Sequence, residues 1–446
     1  MQSNWRKAKL GDYVDILTGF PFQSKYFSGS KGIRLVRGDN ISSGFLDWSK
    51  TKYWPNYEDS LKKFLLKESD VLIGMDGSKV GQNKAVVRKE DLPLLLVQRV
   101  ASLRAKEGLL QDYLYFVIFS KQFTRYVDSI KTGSAVPHIS AEQIADYEFY
   151  LPPIEEQERI SRILAKLTEK IQLISNINKT LEAIAQAIFK NWFVDFEPFK
   201  DGDFEYNETL NKEIPKDWKV GTVADLCKRI TNGGTPRRME PRFWKNGNIP
   251  WFKTGELMNS VLMDSEEKIT QQGLENSSCH LLPINTVAVA LYASPTVGRL
   301  GLLKVPATTN QACTALEAKD EIGYGYVFHV LLSNQQYLNI IAVGSVQQNI
   351  SREIVKNLTT PIPPMAIAKK FQQLVEPLYD QMTNNEVEKH ILVAIRDSLI
   401  PRLLSGEIRG KVDVEKEFPE ETKKLEEIKD EKSKIQKSIS EWVKHA

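Results

Sequence analysis

The sequence predicts an α+β chain built twice: two β-rich globular units, each followed by a long coiled-coil helix. Three observations predict it. First, Gly133 to Ser140 (GSAVPHIS) is answered by Gly344 to Ser351 (GSVQQNIS), and the offset of 211 holds without a gap from Gly133/Gly344 to Trp192/Leu403. Second, each copy ends in a long run of apolar residues at helical spacing. Third, the text before each run consists of short β-type segments bounded by Gly, Pro, Asn and Ser. A repeat this long means one architecture made twice, and a duplicated binder reaches two half-sites on one ligand.

In chain order, the first unit opens with Trp5 to Thr18 (WRKAKLGDYVDILT), which matches Trp218 to Thr231 (WKVGTVADLCKRIT). Ile33 to Ile41 (IRLVRGDNI) resembles Ile249 to Leu257 (IPWFKTGEL). Leu65 to Gly81, containing DVLIGMDGSKVG, resembles Leu281 to Gly298, containing TVAVALYASPTVG with one inserted residue. Val97-Gln98 to Lys106 answers Asn310-Gln311 to Lys319. Each unit is roughly 150 residues, enough for an independent core.

The helices follow. Leu164, Leu167, Ile171, Ile174, Asn178, Leu181, Ala185, Ile188 and Trp192 step by three and four in the first. Val375, Leu378, Met382, Asn385, Lys389, Leu392, Arg396, Leu399 and Leu403 do so in the second. Alternating spacing over four heptads is a coiled-coil seam. Pro153 and Pro364 suit a first helical turn, and Pro198 and Gly406 lie just past the ends. Pro377 is expected to kink or restart the second helix. A helix of about 40 residues is roughly 60 Å long. Asn178 and Asn385/Lys389 interrupt the seams at places that meet if the helices pair antiparallel. Such a layer either fixes register at a cost in stability or lies at a solvated edge. The Lys/Glu-rich tail after Gly410 keeps a stripe of Leu425, Ile428, Ile435, Ile439 and Trp442. It reads either as an added helix that docks on a partner or as a frayed, charged terminus.

Bulk properties narrow the class. A chain of 446 residues suggests about three domains. The net charge of +3 neither proves nor excludes a nucleic-acid partner, because local patches matter more than the sum. Cys227, Cys279 and Cys313 are far apart in the sequence with no CxxC pair, which favours a reducing, cytoplasmic setting over a disulfide framework. Met1 to Lys7 lacks the apolar core of a signal peptide, and no apolar stretch is long enough to span a membrane, so no membrane partner is expected.

Catalytic signatures are missing. There is no Walker loop, GxGxxG, HExxH or Cys/His metal spacing, and the five histidines (His138, His280, His329, His390 and His445) are scattered. Gly77-Ser78-Lys79-Val80-Gly81 looks like a phosphate-cradling turn, but its counterpart, Ala293 to Gly298, reads as a repeated Gly-rich turn. Glu317-Ala318-Lys319 has a nuclease-like form, yet Arg104-Ala105-Lys106 in the other copy cannot hold a metal. Leu151-Pro152-Pro153-Ile154 and Ile362-Pro363-Pro364-Met365 lack the amide or acid of an adenine-methylating motif. The expectation is a chain that does no chemistry alone, with no catalytic residues, no metal and no cofactor of its own.

The Leu/Ile-Pro-Pro helix entries, the run from Ala187 to Pro198 (AIFKNWFVDFEP) and Ile400 to Ile408 (IPRLLSGEI) resemble the specificity subunit of a type I restriction-modification system. The similarity covers nearly all the chain to about residue 410. It implies two target-recognition domains arranged by pseudo-two-fold symmetry and separated by two long antiparallel coiled-coil helices: a target-recognition domain at 1–153, a spacer helix at 154–197, a linker and second target-recognition domain at 198–364, a second spacer helix at 365–410, and a charged tail at 411–446. Each domain would read half of an asymmetric bipartite site on double-stranded DNA. The helices would act as ruler and as dock for two modification (methyltransferase) subunits, which restriction/motor subunits join. S-adenosylmethionine, ATP and Mg are then expected on those partners.

Base reading needs polar side chains on loops that reach a groove. In the first unit these are Gln23, Lys25, Arg37, Asn40, Lys79, Gln82, Asn83, Ser134 and His138. In the second they are Thr235, Arg237, Arg238, Lys253, Glu256, Thr296, Arg299, Gln347 and Gln348. Arg237-Arg238 is favoured, because Gly233-Gly234 just before it allow close backbone approach. Any of these residues alternatively touches phosphate or is simply a solvated loop side chain. Trp5, Trp218, Trp192 and Phe193 are assigned to cores or helix docking. The spacer seam is assigned to Leu167, Ile171, Ile174, Leu181, Ile188, Leu378, Met382, Leu392 and Leu399. Two other readings stay open: a DNA-modifying enzyme with a cryptic site, and a coiled-coil scaffold with duplicated binding heads.

Overall fold

A computed structural model describes residues 5–42, 44–133, 136–292, 296–343, 349–410 and 412–445. The chain divides into two compact units, 1–171 with 391–422 and 172–390 with 423–446. Each unit contains one β-rich head and part of both long helices. In the first head, Val14–Thr18, Val100–Ala105, Val71–Gly74 and Lys84–Val86 form an antiparallel sheet in that order. A second sheet runs Tyr53–Trp54, Ile33–Val36, Leu94–Leu96, the last pair parallel. Val71–Gly74 and Leu94–Leu96 are buried throughout, which is why they read as unbroken apolar runs.

The second head repeats the plan. Its five-stranded sheet runs Cys227–Asn232, Cys313–Ala318, Val287–Ala290, Leu300–Leu303, Ser260–Leu262, beside a three-stranded sheet of Lys268–Ile269, Ile249–Phe252 and Thr308–Thr309. The correspondence reaches single hydrogen bonds. Arg6 pairs with Leu151 as Lys219 pairs with Ile362. Lys106 N donates to Tyr13 O (2.8 Å) as Lys319 N donates to Leu226 O (2.9 Å). The Tyr113 hydroxyl donates to Tyr150 O as Tyr326 donates to Pro361 O. The duplication is therefore one of register as well as of sequence.

The long helices span Ile154–Phe189 (36 residues) and Met365–Leu404 (40 residues). Pro153 O accepts from the N–H groups of Glu156 and Gln157, and Pro364 O from those of Ile367 and Ala368, so each proline carbonyl opens its helix. Glu155 and Glu156 add favourable charge to the first N-terminus. Gly406, at φ +72°, stops the second helix in a left-handed turn. Of the kink or restart expected at Pro377, the restart does not occur: the helix is continuous from Met365 to Leu404. Its neighbours Val375, Leu378 and Tyr379 are all buried in the second unit's core, and that packing outweighs a proline cost of about 3 kcal/mol.

Within the second unit the helices run antiparallel: Asn178 meets Asn385, while Phe189 and Phe193, further along, pack on Phe371, further back. Ile174, Leu378 and Met382 are buried here; Leu181 and Ile188 are half-buried. Within the first, Leu164, Leu392 and Leu399 are buried, and Leu167 and Ile171 half-buried. Near the end of the first helix Phe189 and Phe193, not Ile188 and Trp192, are the fully buried residues. A 3.6-residue helix drifts against a 3.5-residue pattern, and a π-turn at Lys190–Val194 follows.

That aromatic end clasps the second head, with Phe193 and Phe196 against Trp218 at 5.7 and 5.3 Å between ring centroids. His329 stacks on Phe189 and shares a 3.0 Å hydrogen bond with the Tyr379 hydroxyl. Burial pushes His329 down to about 3, so it is neutral. In the first unit Arg409, beyond the second helix, covers Trp5 at 5.0 Å. Residues Pro419–His445 form a further helix. Its Ile428 is buried, and Lys432 pairs with Glu388 of the second long helix, so the tail docks on its own chain. The side chains of Ile439 and Trp442 lie outside the described residues.

The seam's polar layer is buried. Asn178 is 4% exposed and Asn385 1%. Asn385 Nδ2 donates to Asn178 Oδ1 at 2.6 Å, and Asn178 Nδ2 donates to Glu386 Oε1 at 2.9 Å. Lys389 pairs with Glu386 beside them. Replacing Asn385 alone by Leu leaves the buried Asn178 Oδ1 without its donor, so denaturant unfolding should show a loss of about 1–3 kcal/mol. Replacing both by Leu should recover most of it. An equal loss in the double variant would mean that the pair is not the source.

Glu182 lies next to this layer. Burial raises its carboxyl pKa, opposed by a hydrogen bond from Ser260 and reinforced by Glu386. A carboxyl that is harder to ionise when folded makes the folded chain hold more protons than the unfolded one. Its stabilising contribution is thus complete below the unfolded value of 4.5 and is lost as pH rises through the folded one. Glu182→Gln should raise the thermal midpoint near pH 7 and leave it unchanged at about pH 4. Equal shifts at both would rule out ionisation as the cause.

Candidate nucleic-acid interface

Each head gathers its polar loops by the same clip. Ile139 N donates to Met75 O (2.9 Å) in the first and Ile350 N to Leu291 O (2.9 Å) in the second. In each head the clip lies just before a short helix capped by a serine, Ser140 and Ser351, and in the first it adjoins the Gly-rich turn at 77–81. In the first head Gly77 N also donates to Pro137 O, and Asp76 bridges to His138. Lys79, Gln82, Asn83 and His138 therefore share one edge. Lys79 O accepts from the N–H groups of Gln82 and Asn83; Lys79, Gln82 and His138 are exposed and Asn83 half-buried. Gly77 and Gly81 have positive φ, but Lys84–Val86 that follows is a strand. The turn thus lacks the helix N-terminus of a phosphate loop.

Two residues absent from the sequence reading complete this edge. The Asp76 carboxylate accepts from Arg99 at 2.9 Å, and Arg99 stands 66% exposed on a backbone at φ +66°. A non-glycine residue held in the left-handed region is often a functional one. The only signal in the text is a difference between the copies, Gln98-Arg99 against Gln311-Ala312. Arg37 adjoins through Gly38, where a Cβ would sit 3.5 Å from Asp76 Oδ1. Gln23 and Lys25 are exposed on a different turn, packed beside Trp54 through Tyr26.

Asn40 does not face a ligand. It is 0% exposed; its Oδ1 accepts from Arg37 N and its Nδ2 donates to Asp47 O. Glu256 plays the same part in the second head, accepting from Lys253 N and Glu266 N with its two carboxylate oxygens. A turn whose third residue caps its own first N–H is a repeated scaffold, so the polar residue there is spent on backbone. The sequence pattern could not separate this use from base reading.

In the second head Thr235 bonds Gln311, and Lys253 is paired with Glu266 at 2.9 Å. The Thr296 hydroxyl donates to Tyr292 O, and Arg299, half-buried, lies 3.6 Å from the Met258 sulfur. Arg237 and Arg238 are both exposed, but Arg238 is tied to Glu267 and lies over Trp244 and Trp251. Ser134, Gln347 and Gln348 lie outside the described residues.

Buried Lys84 donates to Ile118 O and Thr124 Oγ1, with burial pushing it down to about 8. The sister strand has Leu300 there. The cysteines are free and buried. Among the described residues no group of three or more His, Cys, Asp or Glu is placed to hold a metal ion, and no helix is long and apolar enough to cross a membrane.

Comparison with known proteins gives this arrangement a context. The family model for the type I restriction modification DNA specificity domain matches twice, over residues 2–183 and 215–394. The type I restriction enzyme MjaIX specificity subunit of Methanocaldococcus jannaschii is 29% identical over 320 residues, covering 71% of this chain and 73% of that one. The HindI specificity subunit of Haemophilus influenzae is 24% identical, covering 91% and 100%. The crystal structure of a type I restriction-modification S subunit from M. genitalium superposes with a TM-score of 0.54 at 15% identity, covering 90% and 96%, a likeness of fold.

The capping assignments make a prediction. Asn40→Ala and Glu256→Ala should each lower stability by about 1–3 kcal/mol, read from thermal or denaturant unfolding. Neither should change which bases are preferred in a DNA-binding assay. A changed preference with unchanged stability would return these residues to the list of readers.

Proposed function

The chain belongs to the type I restriction modification DNA specificity family, and from that membership we propose a division of labour between its parts. Its role is DNA sequence specificity within a type I restriction-modification complex. Each head, at 1–153 and 198–364, reads one half of an asymmetric, bipartite site on double-stranded DNA. The two long helices set the distance between halves and dock two modification subunits, to which restriction subunits are added. Those partners bring S-adenosylmethionine, ATP and Mg for adenine methylation and cleavage, and this chain contributes no catalytic group.

One observation carries the reading. The same clip and the same strand register recur in both heads while the side chains on them differ: Arg99 against Ala312 and His138 against Asn349. A common scaffold with unlike surfaces is what two unlike half-sites require. Helices of 36 and 40 residues are about 54 and 60 Å long, more than the roughly 34 Å between half-sites one DNA turn apart. Several candidate cations are engaged within the chain, among them Arg99 with Asp76 and Lys253 with Glu266, and the net charge is only +3. Partner subunits therefore supply much of the phosphate contact.

Exchanging residues 1–153 for the matching unit of a relative tests the division. Mapping methylated adenines in DNA from cells that carry the system should show one half of the site changed and the other kept. Changes in both halves would refute independent reading.

A further inference from the structure

Resting on the specificity reading above, we propose that Arg238 is a positioning residue and that Arg237 is the guanidinium the second head offers to DNA. The sequence presents the two as a pair; the structure gives them opposite surroundings. The loop is pinned at its root, where a Cβ on Gly233 would strike the carbonyl oxygens of Thr309 and Asn310, and one on Gly234 would strike Ser278. Trp251 Nε1 donates to Gly234 O at 2.8 Å.

At its far end Arg238 lies 4.0 Å from the ring centroid of Trp244 and 4.6 Å from that of Trp251, and those rings meet edge-on at 5.1 Å. Its guanidinium also donates to Glu267 at 2.7 Å. A cation stacked on two indoles and paired with a carboxylate already has its interactions made inside the head. Trp244 Nε1, in turn, donates to Arg237 O at 3.2 Å, so the backbone of Arg237 is gripped from the same cage.

Arg237 itself is exposed, and its guanidinium has no partner among the described residues. A fork of donors on a backbone held at both ends loses little freedom on binding. Its target is a pair of acceptors on duplex DNA, either guanine O6 and N7 or two phosphate oxygens. The first head presents a different group at the same place. Gly19 N donates to Val100 O as Gly233 N donates to Cys313 O, and counting four residues on reaches exposed Gln23 there and Arg237 here.

The test is equilibrium binding to duplexes carrying the recognised site, using the full chain assembled with modification subunits, at several salt concentrations. Arg237→Ala should weaken binding about 10- to 100-fold. Relaxed preference at one base pair would identify a base contact. A uniform loss with a salt slope lower by about one would identify a phosphate contact, and either result supports the proposal. Arg238→Ala should weaken binding of the otherwise unchanged chain but add little once Arg237 is Ala, with Arg238→Lys restoring part of the loss. Should Arg238→Ala not fold, Glu267→Gln carries the same coupling test. A preference and affinity unchanged in Arg237→Ala would overturn the assignment. So would an Arg238→Ala loss that is equal with and without Arg237. An unsubstituted complex with no sequence preference would instead overturn the specificity reading beneath it.

Discussion

The hydrogen bond between Asn385 and Asn178 is the constraint on which the register of the helices depends. Aliphatic seams tolerate sliding, because one Leu replaces another at little cost. Two amides buried in such a seam do not: a shift of either helix would leave donors and acceptors unpaired in an apolar setting, at about 1–3 kcal/mol for each group. Glu386 completes the set by accepting from Asn178, and Lys389 holds Glu386. With register set, Phe189 and Phe193 fall on Phe371, and the aromatic cluster that seats the second head follows from it.

The heads obey a second economy, in which duplicated backbone carries diverged side chains. Equivalent main-chain bonds recur at the closing strand pair, at Lys106 and Lys319, and at the clip from Ile139 and Ile350. Backbone bonds do not depend on side-chain identity, so loop surfaces are free to vary without loss of the frame. Lys84 and Leu300 mark the limit of that freedom. A buried lysine in one copy needs Thr124 and a carbonyl to satisfy it, where the other copy simply packs a leucine.

Charge is handled in the same spirit. Arg99 is held by Asp76, Lys253 by Glu266 and Arg238 by Glu267, each beside a loop that bears polar candidates. Paired cations fix loop shape and contribute little net field. Arg237, exposed and without a partner among the described residues, is not neutralised in this way.

The sequence by itself determined the doubling, the helices and the family. Those signals are periodic or collinear, and a 211-residue offset or a 3/4 spacing survives in one dimension. It did not determine how Pro377 behaves, since the cost of a proline is local and the burial of Val375, Leu378 and Tyr379 that overcomes it is not. Nor did it separate readers from scaffold. Asn40, Glu256 and Arg238 carry the right chemistry for DNA, but Asp47, Glu266, Glu267, Trp244 and Trp251 already occupy them. Arg99 was invisible because its pairing with Asp76, 23 residues away in sequence, and its left-handed backbone exist only in the folded chain. Which polar groups remain free is a property of who else is nearby, and only the tertiary structure decides that.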